Sequence, residues 1–72
     1  MNAPQAWQAA LGQLQMEMPK SSYDTWVSSA ELVSYEGKTF VIGVQNAYAR
    51  DWLENRLSGT VTNLLTHLME EP

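Results

Sequence analysis

The chain has 72 residues, no cysteine, and eight carboxylates against four basic side chains, for a net charge of −4. A chain this short forms one domain whose single core supplies about 3–5 kcal/mol, with no disulfide or thiolate metal site to reinforce it. No apolar run approaches the ~18 residues of a membrane span and no basic-then-apolar leader opens the chain, while an acidic balance with Lys20, Lys38, Arg50 and Arg56 scattered argues against a dedicated nucleic-acid surface. The expected setting is the cytoplasm. Each of the three tryptophans is expected to lose most of its surface on folding, so that truncating one would cost roughly 3–5 kcal/mol.

The spacing predicts a first helix over 3–18. Trp7, Leu11, Leu14 and Met18 fall at i, i+4, i+7 and i+11 on one face, widened by Ala3 and Ala10. Asn2 can cap it, and Pro4 is tolerated in the first turn, where its missing amide would be unpaired anyway. Gly12 lies off the stripe and costs up to ~1 kcal/mol relative to Ala; it marks either a close approach or nothing. Pro19 ends the helix. Ser21-Ser22-Tyr23-Asp24 then has the form of a capping box opening a short second helix to about Val27, with Tyr23, Trp26 and Val27 facing the core. Ser28 and Ser29 break that pattern.

Two strands follow, 30–35 and 38–44, around a turn at Glu36-Gly37 whose glycine can take positive φ. Phe40, Ile42 and Val44 share the face expected to be buried, with Val41 and Gly43 on the other. A lone hairpin is marginal in water, so this one needs helices on one side.

The stretch 45–57 is the helix around which the chain is organised. Asn46 is its N-cap; Tyr48, Ala49, Trp52 and Leu53 fall within one broad arc, with Ala47, Asp51 and Glu54 opposite and Arg50 paired with Glu54 at i,i+4. Ser58-Gly59-Thr60 is expected to break the chain before a last helix over 60–69, whose stripe is Val61, Leu64, Leu65 and Leu68. His67 and Asn63 point away from it, and residues 70–72 read as a frayed tail. The expectation is one α+β domain over 1–72, in the order helix, short helix, β-hairpin, helix, helix, with helices packed on a two-stranded antiparallel sheet.

Chemistry-bearing groups are sparse. One histidine and no cysteine make a zinc site improbable; the paired serines are accounted for by capping; isolated glycines at 12, 37, 43 and 59 build neither a P-loop nor a dinucleotide fingerprint. The reading is a non-enzyme with no cofactor of its own.

Two segments carry a resemblance. Ser22-Tyr23-Asp24-Thr25-Trp26 is similar to a pattern of Ser or Thr, then Phe or Tyr, then Trp three residues on. Asn46-Ala47-Tyr48-Ala49-Arg50-Asp51-Trp52-Leu53 is similar to one of Asn, an aromatic two residues on, and Trp four residues later followed by Ile or Leu. At this spacing the chain, from Trp7 to about Leu68, resembles the N-terminal domain, domain I, of the bacterial chromosomal replication initiator DnaA.

The resemblance implies a KH-like arrangement and an assembly role: weak association with copies of itself, and docking of the replicative helicase and of initiation regulators. ATP and double-stranded origin DNA would be bound by later domains of the parent protein. It attaches self-interaction to Trp7 and partner contact to Asn46 and Tyr48. Each has a plainer reading beside it: Trp7 sits on the stripe with Leu11 and Leu14, Asn46 is accounted for as a cap, and Tyr48 stands at the rim of the apolar arc, half buried with its hydroxyl wet. Some members carry an acidic residue where Ser22 stands, which puts the helicase contact there in doubt. Members also continue into one more strand, so the sheet here is expected to have two. The alternatives are a weak single-stranded nucleic-acid-binding module and a stand-alone small regulator sharing the fold.

Overall fold

The computed structural model describes residues 2–70. They form α1 (Ala3–Glu17), α2 (Lys20–Ser22) running into a π-helical turn (Tyr23–Val27), β1 (Glu31–Glu36), β2 (Thr39–Gly43), α3 (Ala47–Arg56) and α4 (Ser58–Glu70). The expected α+β architecture holds, with one antiparallel sheet of two strands. Of the expected tail, Glu70 closes α4 and residues 71–72 lie outside the described residues.

The start of α1 is fixed from both directions. Asn2 Oδ1 accepts from the Gln5 amide at 2.9 Å, and Gln5 Oε1 accepts from the Asn2 amide at 3.3 Å, a reciprocal capping box in which Gln5 is the half the sequence did not reveal. The helix stops at Glu17 because Met18, which precedes Pro19, is extended at φ −110° and ψ 152°.

The second helix differs from expectation. It begins at Lys20, with Pro19 in the cap position and no side-chain cap, so Ser21 lies inside it. The Asp24 carboxylate is taken instead by Lys20 Nζ at 2.6 Å, which holds the Lys20 proton above the usual lysine value. The chain then widens by one residue: the Ser28 amide donates to the Tyr23 carbonyl at 2.9 Å, an i to i−5 bond. Val27 is sealed inside, whereas Tyr23 and Trp26 remain half-buried.

The hairpin corrects the turn by one residue. Glu36 pairs with Thr39, and Gly37 and Lys38 take φ of 54° and 66°, because a two-residue loop that follows the strand twist needs positive φ at both positions. Val33 is an extra residue in β1, since the pairing steps from Leu32↔Ile42 to Ser34↔Val41. This bulge repairs a parity problem. Leu32 and Tyr35 are three apart and would face opposite sides of a regular strand, yet they stand opposite Ile42 and Phe40 on the inner face. Tyr35 packs on Phe40 at a centroid distance of 4.6 Å. Val33 is left outside, 65% exposed.

The core gathers Ala6, Trp7 and Ala10 of α1 with Ala30 and Leu65, surrounded by Leu32, Phe40, Ile42, Val61, Leu64 and Leu68. The alanines let α1 lie close to α4, with which it makes its broadest contact. Trp7 alone of the three tryptophans is fully buried; Trp26 and Trp52 are half-buried, against the expectation of three sealed rings. Between α3 and α4 only Leu57 leaves the helical path, at φ −122° and ψ −7°. The expected break at Ser58-Gly59-Thr60 is thus the first turn of α4, anchored by the Val61 amide on the Leu57 carbonyl at 2.8 Å. Arg50 pairs with its neighbour Asp51 at 3.4 Å rather than with the expected Glu54.

Candidate functional site

The strand-to-helix corner ahead of α3 is built by two side chains. Gln45 Nε2 donates to Ser29 Oγ, fastening the chain after β2 to the turn that follows the second helix. Asn46 is extended, with φ −161° and ψ 173°, and its Oδ1 accepts from the Ala49 amide at 2.9 Å, so it caps α3 as its residue type predicts. The cap uses only the carbonyl end of the side chain. Its NH₂ group takes no part in that bond, and the residue is exposed.

Tyr48 stands in the first turn of this capped helix with 80% of its surface exposed. It was expected half-buried at the rim of an arc; the inner part of that arc is taken by Ala49, which is buried, and by Leu53, and the ring is left wholly outside. One turn further, Trp52 lies stacked on Trp26, with centroids 5.6 Å apart and planes 10° from parallel. The Arg56 guanidinium sits 5.9 Å from the Trp52 centroid, within cation–π range. An exposed phenol, a half-buried indole pair and a guanidinium thus follow one another along α3.

The arrangement can recognise but has little to react with. It offers an aromatic face, amide donors and a cation, and among the described residues no three His, Asp or Glu side chains gather to hold a metal ion. An open groove of about 540 Å³ between the hairpin turn and α4 has Phe40, Leu65 and Met69 among its lining, with Thr62, Thr66, Lys38 and Glu70 beside them.

Of the three residues singled out from the sequence, the structure brings Asn46 and Tyr48 together at one corner and sets Trp7 apart. Trp7 is 4% exposed and belongs to the core cluster, so burial accounts for the residue by itself. The Gln45–Ser29 tie and the Trp26–Trp52 stack were not legible in the sequence, because each joins residues far apart along the chain. Arg56 was within reach, at i+4 from Trp52 on a helix.

Fold and surface define a small α+β domain that packs its helices on one face of a hairpin and leaves an aromatic corner outside. Its sequence matches the family described as DnaA N-terminal domain over residues 4–67. The chain belongs to that family, the N-terminal domains of replication initiators, and no helix among the described residues is long and apolar enough to cross a membrane.

Proposed function

We propose that this domain is a docking module of a chromosomal replication initiator, acting in the cytoplasm by binding rather than by catalysis. The corner formed by Asn46 and Tyr48 receives the replicative helicase and initiation regulators, and the domain associates weakly with copies of itself. Nucleotide is left to later parts of such an initiator. The observation that supports this reading best is the exposure of Tyr48 on a helix whose first turn is held rigid by the Asn46 cap and the Gln45–Ser29 tie. A large ring fixed in the open costs little entropy when it is buried against a partner, which is how aromatic anchors dominate interfaces.

The test is titration of the domain with the replicative helicase of the same organism. Tyr48→Ala is expected to weaken binding tenfold or more while leaving the melting temperature unchanged, because an exposed side chain contributes within about 0.5 kcal/mol to stability. Unaltered affinity would remove the corner from the docking surface.

A further inference from the structure

With no cysteine in the chain, methionine is the side chain most open to mild oxidants. Of the four methionines, Met1 lies outside the described residues, and the other three stand in different surroundings. Met69 packs against the core cluster and lines the groove beside the hairpin turn. Met18 is half-buried at the extended residue that closes α1. Met16 is 84% exposed. A long helical side chain leans toward the N-terminus, over the residues three and four before it, here Gln13 and Gly12. The Gln13 side chain is drawn to Glu17, whose carboxylate accepts from Gln13 Nε2 at 2.9 Å. Gly12 has no side chain, and apart from its chain neighbours and the helix backbone no heavy atom lies within 4 Å of where a Cβ would stand. The turn before Met16 thus leaves its thioether uncovered.

From these surroundings we infer that Met16 is a modification site of this domain toward peroxides: its thioether takes up one oxygen atom and becomes a sulfoxide while the fold stays as it is. A sulfur lone pair attacks one oxygen of hydrogen peroxide, and the S–O bond forms as the O–O bond breaks. The departing oxygen takes up the proton of the transferred hydroxyl and leaves as water, so sulfur loses two electrons and peroxide gains two. Such a reaction needs open approach to the sulfur, which Met16 offers and the packed Met69 does not. The cost of the product differs in the same direction. A sulfoxide is polar, and at Met69 it would set an oxygen against the apolar core, where a polar group without a partner is destabilising. At Met16 water solvates it. An exposed sulfoxide also stays within reach of enzymatic reduction, so the domain can take up the oxygen and lose it again without unfolding.

Graded hydrogen peroxide on the 72-residue chain, read by tandem mass spectrometry that resolves each methionine, tests the assignment. Met16 is expected to be oxidised about fivefold faster than Met18 and Met69. In concentrated urea the three rates are expected to converge, because the preference belongs to the fold. Gly12→Leu enters open space and sets a branched side chain four residues before Met16, so it is expected to slow Met16 about twofold and leave Met69 unchanged. Protein oxidised at Met16 alone is expected to melt with the untreated chain. Met18 or Met69 reacting as fast as Met16 in the folded chain overturns the assignment, as does the same preference persisting in urea. An unchanged Met16 rate in Gly12→Leu overturns the part given to Gly12, and a lowered melting temperature after Met16 oxidation overturns the tolerance of the fold.

Discussion

Trp7 and Tyr48 are both aromatic and stand in opposite surroundings, one buried and one exposed. The Trp7 indole lies in a cluster with Ala6, Ala10, Ala30 and Leu65, and replacing it by alanine removes the largest side chain of that core cluster. Such truncations cost about 3–5 kcal/mol, as much as a core of this size supplies. Trp7→Ala is therefore expected to lack a cooperative urea transition at room temperature, followed by far-UV circular dichroism; a folded variant with a normal midpoint would show that the ring is not central. In Asn46 the carbonyl that caps α3 and the NH₂ group are different atoms, so the cap leaves the NH₂ group unused.

The elements hold together through local devices of different strength. α1 is capped reciprocally by Asn2 and Gln5, whereas the second helix has only three residues before its π-helical turn and is held by its neighbours, with Trp26 stacked on Trp52 and Val27 sealed in the interior. The Lys20–Asp24 bond is largely exposed and adds little to this. In the hairpin, Lys38 takes positive φ without being glycine or asparagine, a conformation that costs a side-chain-bearing residue roughly 1–2 kcal/mol. Lys38→Gly is expected to raise the urea midpoint, with a gain of about 1 kcal/mol at most because glycine also frees the unfolded chain; a lowered midpoint would mean that the lysine side chain contributes packing that outweighs its backbone strain. Gly43 is required for another reason: a Cβ there would stand 2.9 Å from Val33 Cγ2, so the bulge at Val33 and the absence of a side chain at Gly43 belong together.

For the molecule as a whole, a charge of −4 disfavours nucleic acid as a partner. Three of the four basic side chains already have companions, Lys20 with Asp24, Arg50 with Asp51 and Arg56 over Trp52. Two contacts to single-stranded phosphates would give a salt slope of only about −1.4. A single-stranded oligonucleotide is thus expected to bind more weakly than micromolar at moderate salt. Tighter binding that vanishes on Arg50→Ala or Arg56→Ala would instead make this a nucleic-acid module.

What the sequence determined by itself is what depends on neighbours along the chain. The stripes of α1 and α4 and the caps at Asn2 and Asn46 follow from the helical period and from the reach of a short side chain to an amide three residues on. The alternation in β2 follows likewise from the two-residue period of a strand. Membership in a family was legible for the same reason, in two short segments of fixed spacing. The tertiary structure decided what depends on residues brought from a distance. Val33 bulges, so that Leu32 and Tyr35 stand opposite Ile42 and Phe40 across the hairpin. Trp52 is half-covered because Trp26 lies over it, and Tyr48 stays outside because Ala49 and Leu53 occupy the inner side of α3. Periodicity orders residues around an axis, but only packing fixes which direction from that axis is the interior.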